Sequence, residues 1–455
     1  MPVNWDKALQ DAGAIFRAAL ERVDPLAMIG RCLSIEAGRL LVRTEYDQAE
    51  FALCDYDRIV VAGMGKAAAR MALGVERALG DSVAGGLIAV KEGCTEPLSR
   101  LPLVEAGHPL PDDRSVRAAA GLLALGRDSG ERTLALVLIS GGGSAVVCAP
   151  AQGVSLQDKI ATTSLLLSCG ATIQEVNCVR KHLSAIKGGR LAEAFAPATV
   201  VSLILSDVIG DDPDAIASGP TVPDPTTFSD CLEVLRRYEI EERIPPGVLR
   251  FLRLGAAAKT PETPKPGDPV FTRTRSILLG TNRQALFAGR ARAQELGYET
   301  MVLTSRLAGE AKEAAPVILA IGKDIAASGF PLARPACLLS GGETTVTLRG
   351  AGKGGRNQEM ALAFLAALER SPKDGEELFF FSVSTDGSDG PTDAAGAFAS
   401  AQILSRARAA GLNPQVFLSE NDSYNFFDSC GGLIRTGPTN TNVCDIQILL
   451  VPRGE

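Results

Sequence analysis

Residues 58–67 read RIVVAGMGKA, and this stretch decides the fold class. Its β-branched run is typical of a strand, its glycines predict a tight turn, and the helix formers that continue to Leu79 predict a helix. This order indicates an α/β domain. The turn also aims backbone N–H groups and a helix dipole at an anion, where Lys66 adds a positive charge. The alternative is that Gly65 serves only close packing of strand against helix.

The same turn satisfies a dinucleotide-binding pattern, because residues 63–68 read GMGKAA and match GxGxxA. The match is incomplete. The next predicted strand, residues 86–90, ends in Lys91 where an acidic partner for a ribose is expected. The spacing GxxxxGK[ST] of a P-loop is absent.

Two further apolar strands of the first half end in polar residues. Residues 134–139 run into SGGGSA at 140–145, and residues 199–205 run into Asp207. Three glycines flanked by serines can cradle a carboxylate or phosphate, although a mobile loop is the alternative. Asp207 stands where open α/β sheets place ligand groups, or it is a turn or capping acid. A parallel sheet would place these strand ends along one rim.

The second half contains three polar loops that predict ligand binding. SGGET at residues 340–344 echoes the first serine-glycine loop, and GAGKGGRN at residues 350–357 offers Lys353 and Arg356 for mobility and anion contact. STDGSDGPTDAAG at residues 384–396 follows another apolar strand and brings three aspartates, at 386, 389 and 393, onto one turn. Such carboxylates suit Mg²⁺, whereas a solvated acidic turn is the alternative.

The composition narrows the function classes. The length of 455 residues with 46% apolar and 22% charged residues predicts two to three globular domains, with no signal peptide or membrane segment. A net charge of −7 without basic runs argues against nucleic acid as a partner. The ten cysteines include no CxxC pair, so they indicate neither a zinc site nor a disulfide framework. This cysteine pattern predicts that the protein lies in a reducing cytoplasm. Only His108 and His182 are available for histidine chemistry, and we expect His108 to bind loop backbone rather than substrate.

Helical spacing predicts an opening amphipathic helix from Trp5 to about Ala37, interrupted near Pro25. The segment 255–269, rich in Pro, Thr and Lys, indicates a linker. We therefore predict domains at residues 1–255 and 270–455. The basic segment 179–190 is usually a solvated face, although Arg180 is kept as a possible substrate contact.

Six motifs occur in a fixed order: GMGKAA, SGGGSA, LSDVIGDDPDAIASGPT, GKGGRNQE, STDGSDGPTDAAGA and GPTNTNVCDI. Together they resemble the glycerate 2-kinase family, including its C-terminal MOFRL-type domain, over nearly the whole length. The resemblance implies two α/β/α domains, the first Rossmann-like with a mostly parallel sheet and the second with a mixed sheet. It also implies an active site in the cleft between them, and transfer of the γ-phosphoryl group of ATP to the 2-hydroxyl of D-glycerate with Mg²⁺. Some members are labelled hydroxypyruvate reductase, so an NAD(P)H-dependent reductase remains the alternative.

By that likeness the catalytic residues are Lys66, Asp207, Arg356 and Asp386. We assign Lys66 to the phosphoryl group or the glycerate carboxylate, Asp207 to the hydroxyl and Arg356 to transition-state charge, with Asp386 and Asp389 as ligands of Mg²⁺. The predicted substrate and phosphate contacts are Gly65, Ser140, Gly141, Gly142, Gly143, Ser144, Arg180, Gly341, Gly342 and Glu343. The expected partners are the small molecules D-glycerate and ATP, with no nucleic acid and no membrane, and formation of a homo-oligomer is left open.

Overall fold

The structure is a computed structural model that describes residues 4–453. Its first elements are α1 Trp5–Arg22, α2 Pro25–Cys32, β1 Leu33–Glu36, β2 Arg39–Arg43, β3 Gln48–Ala52, β4 Arg58–Met64, α3 Ala68–Leu79, β5 Val83–Lys91, β6 Leu103–Ala106, α4 Asp113–Arg127, β7 Thr133–Ile139, α5 Gly143–Val146, α6 Leu156–Ser168, α7 Ile173–His182, α8 Arg190–Phe195, β8 Thr199–Leu205, α9 Phe228–Arg237, α10 Pro246–Ala256 and β9 Thr274–Gly280. They are followed by α11 Asn282–Glu295, β10 Glu299–Leu307, α12 Ala311–Ser328, β11 Ala336–Gly342, α13 Arg356–Arg370, β12 Phe379–Ser384, β13 Gly396–Ala399, α14 Ala401–Ala409, α15 Pro414–Ser419, α16 Ser423–Cys430, β14 Leu433–Ile434 and β15 Asp445–Val451.

The unit formed by Pro25–Leu279 contains a six-stranded sheet in the order β6-β5-β4-β7-β8-β9. The pairings among β4 to β8 are all parallel. Numbered along this sheet, the order is 3-2-1-4-5-6, which reverses between β4 and β7 and is typical of Rossmann-like domains. β7 and β8 are buried along their whole length because helices cover both faces of such a sheet. The predicted Rossmann-like first domain is confirmed.

Helix starts in this unit follow from capping residues in the sequence. Asp112, Thr172 and Thr227 each accept a hydrogen bond from a backbone N–H at the third helical position of α4, α7 and α9, and each forms a capping box. Among residues 4–453, no helix is both long and apolar enough to span a bilayer.

The predicted opening helix is wrong beyond Cys32. α2 ends there, and β1, β2 and β3 form an antiparallel meander. Ala37 and Gly38 have φ angles of 48° and 75°, the left-handed conformation that a two-residue hairpin turn requires. The helical spacing of apolar residues continues by chance into β1, which ends at the turn formed by Ala37 and Gly38.

The other unit consists of residues up to Asp24 and from Gly280 onward. Its sheet has the order β10-β11-β15-β12-β13-β14, in which only the β10–β11 pairing is parallel. Phe364 on α13 stacks on Phe380 of β12, with ring centroids 4.8 Å apart, in the core between helix and sheet. The predicted mixed sheet is confirmed, and its last strand lies at the centre of this sheet.

The predicted domain boundaries need correction at both junctions. α1 packs on α11 of the C-terminal unit, where Tyr298 Oη donates a hydrogen bond of 2.7 Å to Asp11. Residues 256–279 belong to the unit formed by Pro25–Leu279, since β9 lies beside β8 and Val200 N donates to Arg273 O at 2.8 Å. An amphipathic pattern shows that a helix covers apolar surface, but it does not identify which sheet the helix covers.

The predicted linker is docked rather than loose, through a buried imidazolium. His182 Nδ1 lies 2.9 Å from Cys178 O, and Nε2 lies 3.0 Å from Glu262 Oε2. Both oxygens only accept, so both ring nitrogens donate. Although burial opposes the charge, these hydrogen bonds raise the pKa of His182 to about 9.

We expect Glu262→Gln to lower the free energy of unfolding by about 1–2 kcal/mol near neutral pH, because Glu262 is partly exposed and its pairing with His182 is partly screened. The raised pKa of His182 means that the pair contributes fully below pH 6.5 and is lost as pH rises through about 9. Urea unfolding of both proteins at a series of pH values checks this. A difference that grows with pH would contradict the charged pair.

Candidate functional site

The carboxyl ends of β4 and β7 meet where the strand order reverses, but the first glycine turn is not an anion cradle. Gly65 N donates to Ala89 O at 3.1 Å, Lys66 N to Gly141 O at 2.8 Å and Ala67 N to Ser140 Oγ at 3.0 Å. Gly65 has a φ of 119°, and a Cβ there would collide with Ser140 O. The predicted ligand role of Gly65 is therefore corrected to close packing of the β4 turn against the β7 loop.

The β7 loop does present unused amides. Ser140 N donates to Met64 O and Gly143 N to Ser140 O. Across residues 4–453, the amides of Gly141 and Gly142 have no hydrogen-bond acceptor. Gly142 adopts a φ of 79°, the left-handed conformation found in backbone nests that bind anions. The arrangement can therefore hold a carboxylate or phosphate oxygen through two adjacent N–H groups.

Three polar side chains border these amides. A Cβ at Gly141 would collide with Asp207 Oδ2, which places that carboxylate against the loop. A Cβ at Gly142 would lie 3.1 Å from His108 Nε2 and 3.2 Å from Lys66 Cγ. The structure thus brings Lys66 and Asp207 together around the loop. It also brings His108, for which the sequence favoured only a contact with loop backbone.

Ser144, at the end of the loop, connects it to the basic segment 179–190, through Lys187 beyond the end of α7. Lys187 Nζ donates to Ser144 O at 2.9 Å and to Oγ at 2.6 Å, and the hydroxyls of Ser144 and Ser218 lie 3.1 Å apart. Ser218 Oγ also donates to Asn177 Oδ1 at 3.0 Å. The segment is not a solvated basic face, because Lys187 is buried and Lys181 is buried against Asp214 and Asp224. Its contacts come from loops distant in the sequence, so spacing alone did not reveal them.

In the C-terminal unit, Arg356 is held at the sheet end by a buried carboxylate. Its Nε and Nη2 donate to Asp445 at 2.5 and 2.8 Å, and Nη2 lies 3.4 Å from Glu343. Asp445 begins β15 and pairs with Gly342 and Ser384 on its two sides. Burial raises the pKa of Asp445, and Arg356 opposes this. These contacts use Nε and Nη2 of Arg356 and do not involve Nη1. Asp445 was not predicted from the sequence.

Asp389 is not placed as a metal ligand. Its Oδ1 accepts from Asn357 N and Nδ2 at 3.1 and 3.3 Å, and its Oδ2 accepts from Gln358 N and Nε2 at 2.9 and 3.0 Å. The side chain is 0% exposed, and burial raises its pKa to about 6 although the helix amides lower it. Because all its acceptor sites are used to cap α13, we correct the predicted role of Asp389 to that of a helix cap.

Asp386 remains the aspartate of this loop that suits Mg²⁺. Its Oδ1 accepts from Ser384 Oγ and Ser388 N, both at 2.9 Å, which orients the carboxylate at the end of β12. Asp393 instead lies at the surface, bonded to Tyr424 and Arg435, so the three aspartates do not share one space. One oriented carboxylate fits an ion that takes its other ligands from water and phosphate oxygens.

Asp386→Asn and Asp389→Asn form a matched pair that separates the two roles. We expect Asp386→Asn to raise the Mg²⁺ concentration needed for half-maximal activity at least about tenfold, with little change in stability, because this carboxylate, unlike that of Asp389, suits the ion. Asp389→Asn should lower the free energy of unfolding by about 1–3 kcal/mol, because the buried cap loses an acceptor, and leave the Mg²⁺ requirement unchanged. The opposite pattern would show that Asp389 is the ligand.

The second serine-glycine motif is strand rather than cradle. Gly341 and Gly342 pair with Ile446 and Asp445 inside the sheet, and a Cβ at Gly341 would collide with Asn282. Their backbone groups therefore face neighbouring strands, which corrects the predicted anion contact. Glu343, the next residue, contacts Arg356.

The GAGKGGRN loop is tied down rather than mobile. Gly350 N donates to Asn421 at 3.1 Å and Lys353 N to Asp422 at 2.9 Å, and Lys353 Nζ lies 4.1 Å from the centre of the Tyr424 ring. Within residues 4–453, the amides of residues 354–356 have no acceptor. They open α13, so the predicted anion contact keeps a structural basis in the helix start.

A third group of possible metal ligands comprises Cys178, His182 and Cys231, whose ligand atoms lie within 4.8 Å of one another. It does not suit a metal, since both nitrogens of His182 already donate to oxygen atoms. The thiols instead contact each other at 3.5 Å.

Two family models match the chain: the domain of unknown function DUF4147 at residues 11–253, and the MOFRL family at residues 336–445. The chain is 39% identical to a glycerate 2-kinase of Pyrococcus horikoshii, with 95% of each chain covered. This chain belongs to the glycerate 2-kinase family. Another family member, D-glycerate 2-kinase of Thermotoga maritima, is 41% identical over 87% of this chain and 91% of its own. The crystal structure of a Thermotoga maritima glycerate kinase gives a TM-score of 0.83 at 37% identity, covering 98% of this chain and 100% of that one.

Family membership includes relatives with another name. A protein of Agrobacterium vitis, 43% identical with 87% of each chain covered, is named a putative hydroxypyruvate reductase. Which activity this chain has must therefore be argued from its own residues.

Proposed function

We propose that the protein phosphorylates D-glycerate at the 2-hydroxyl with ATP, giving 2-phosphoglycerate and ADP. The observation that carries this proposal is the β7 loop, where the unused amides of Gly141 and Gly142 are bordered by Lys66 and Asp207. An anion cradle, a cation and a carboxylate, brought together from the ends of the neighbouring strands β4, β7 and β8, are the groups that phosphoryl transfer needs. The names of the kinases in this family support the same substrate.

Each residue has a role in the proposed reaction. The 2-hydroxyl oxygen forms a bond to the γ-phosphorus, the bond from that phosphorus to the oxygen of ADP breaks, and the hydroxyl proton passes to the Asp207 carboxylate. Lys66 and the amides of Gly141 and Gly142 hold the transferred group. Arg356, oriented by Asp445, offers Nη1 to the negative charge of the nucleotide phosphates.

Asp386 would hold Mg²⁺ in this proposal, and its carboxylate is already oriented by Ser384 and Ser388. When bound, Mg²⁺ supplies neutralising charge to the nucleotide phosphates. ATP and Mg²⁺ are thus the proposed cosubstrate and ion. We also propose a reducing, cytoplasmic location, which is supported by Cys178 and Cys231, whose sulfur atoms lie 3.5 Å apart without forming a disulfide.

A nicotinamide-dependent reductase fits the geometry less well. A dinucleotide pyrophosphate binds to the amides that follow the first strand of a Rossmann-like sheet. Here the amides of Lys66 and Ala67 are taken by the β7 loop, at 2.8 and 3.0 Å. β5 ends in Lys91, so the strand ends in a lysine at the position where an acidic partner for the ribose is expected.

The test is to incubate the purified protein with D-glycerate, ATP and Mg²⁺ and to identify the product by NMR, in parallel with NADPH oxidation in the presence of hydroxypyruvate. We expect ADP and 2-phosphoglycerate and no NADPH oxidation. Formation of 3-phosphoglycerate would overturn the proposed position of transfer, and NADPH oxidation alone would overturn the kinase assignment.

A further inference from the structure

Three cationic side chains gather beside the β7 loop without a carboxylate partner. Lys159 of α6 and Lys187 are only 4% and 2% exposed, and Arg180 of α7 is half-buried. Lys159 Nζ donates to Leu183 O at 3.0 Å, and Lys187 Nζ donates to Ser144. All these acceptors are neutral.

The missing partner is unusual, because buried lysines are nearly always paired with acids. Lys181, on the same helix as Arg180, shows the ordinary pattern through its contacts with Asp214 and Asp224. Within residues 4–453, none of the three cations lies within 4 Å of a carboxylate oxygen. The cluster therefore has no acidic partner within residues 4–453, and an incoming anion would favour the charged forms of its lysines.

The electrostatics of the cluster agree with this geometry. Burial lowers the pKa of Lys159 to about 8, with Arg180 adding repulsion and Cys148 opposing it. Burial, followed by repulsion from Arg180 and Lys159, lowers the pKa of Lys187 well below its ordinary value. A bound anion would remove this penalty.

We propose that Lys159, Arg180 and Lys187 form the subsite that binds the carboxylate of the hydroxy-acid substrate, with Arg180 as the direct contact. The inference rests on the proposed function, and it adds Lys159 and Lys187 to the site. The side chain of Arg180 makes no hydrogen bond to any residue in 4–453, so its guanidinium can bind a carboxylate with two parallel hydrogen bonds. Lys187 joins the cluster to Ser144, at the end of the β7 loop.

The chemistry favours a carboxylate over the phosphates of the nucleotide. A nucleotide arrives with Mg²⁺, which needs carboxylate ligands. The cluster contains none, whereas the carboxylate of Asp386, which is proposed to hold the ion, lies in the loop after β12. The cluster therefore suits an anion that arrives without a metal, and it leaves Lys66 and the amides of Gly141 and Gly142 for the transferred phosphoryl group.

The test compares Arg180→Met with Arg250→Met, which removes an equal charge from an exposed position on α10. Each protein is assayed with D-glycerate and with its uncharged amide, D-glyceramide, which keeps the 2-hydroxyl. We expect Arg180→Met to raise KM for D-glycerate about 10- to 100-fold, the worth of a hydrogen bond to a charged group. KM for ATP and kcat/KM for D-glyceramide should stay unchanged, and Arg250→Met should resemble the unmodified protein.

Other outcomes overturn the inference. A raised KM for ATP with an unchanged preference for D-glycerate over D-glyceramide would assign the cluster to nucleotide phosphates. Equal losses with both acceptors would indicate a structural role, which thermal unfolding of Arg180→Met checks independently.

Calorimetric titration of D-glycerate and D-glyceramide separates this inference from the proposed function. If the unmodified protein shows no kinase activity, the proposed function fails. The subsite then stands only if D-glycerate binds, D-glyceramide does not, and Arg180→Met abolishes the difference. Absence of binding, or equal binding by the variant, refutes the subsite.

Discussion

A Lys66→Met variant is expected to phosphorylate D-glycerate with a kcat about 10²- to 10³-fold lower than the unmodified protein, as with loss of other preorganised transition-state contacts. Methionine keeps the length and apolar stem of the side chain, so packing beside Gly142 is retained while the charge is lost. The backbone N–H of residue 66 still donates to Gly141 O, which preserves the contact between the two loops. Steady-state kinetics with D-glycerate, ATP and Mg²⁺ measure the effect.

Lys91→Met is the matched control, because Lys91 ends the adjacent strand β5 and loses the same charge. We expect its kcat to remain within about twofold, as is usual for a change away from the reacting groups. If both variants lose activity equally, the effect of Lys66 reflects general charge rather than a contact in the site. Near-normal turnover of Lys66→Met would exclude its catalytic role.

An Asp445→Ala variant is expected to lose about 3 kcal/mol of unfolding free energy, because it leaves the largely buried Arg356 guanidinium with only the partly exposed Glu343, 3.4 Å from its Nη2. The lost carboxylate is 0% exposed and accepts two hydrogen bonds from Arg356. Since the pair also orients Arg356, kcat should fall together with stability. Urea unfolding and steady-state kinetics on the same protein measure the two effects.

The double variant Asp445→Ala/Arg356→Met distinguishes an uncompensated charge from a cavity. We expect it to recover more than half of the lost stability while remaining inactive, since removing the second charge removes the desolvation penalty. A double variant that is less stable than Asp445→Ala would attribute the loss to packing. Asp393→Ala, which removes a carboxylate from an ion pair at the surface, should change stability little.

The strands and the loops that follow them were predictable from the sequence. Fully apolar runs such as β7 and β8 are typical of buried strands in a parallel sheet, and polar residues at the carboxyl ends of such strands lie along one rim. The same pattern predicts that Lys66 and Asp207 lie beside the 140–144 loop. This prediction depends only on local pattern and on a general property of parallel sheets.

The division of labour between the two glycine loops was not predictable. Residues 63–68 contain a pattern that binds anions in other proteins, yet the amides of Lys66 and Ala67 donate to Gly141 and Ser140, more than seventy residues further along the chain. A local motif shows which donors exist, whereas tertiary contacts decide which of them remain unused. Gly141 and Gly142 keep theirs because no acceptor in residues 4–453 reaches them.

The aspartates illustrate the same limit within one turn. Asp386 and Asp389 are three residues apart and equally flanked by glycine, so composition assigns both to Mg²⁺. Only the position of α13 shows that Asp389 meets the amides of Asn357 and Gln358. Neighbouring residues of the basic segment also have different surroundings that composition does not reveal. Asp214 and Asp224 neutralise Lys181, whereas no ion pair in residues 4–453 involves Arg180.

Because β15 is the last strand of the chain and lies at the centre of its sheet, it determines the order in which the two units can fold during synthesis on the ribosome. Residues 25–279 can fold as soon as they emerge, because their sheet is continuous in the chain. α1 emerges first, but it cannot pack until α11 has been synthesised. β11 and β12 each pair with β15, which lies between them, so neither strand can complete its pairing until β15 has emerged. We therefore expect nascent chains that stop before Asp445 to carry one finished unit and one that still exposes apolar strands to chaperones.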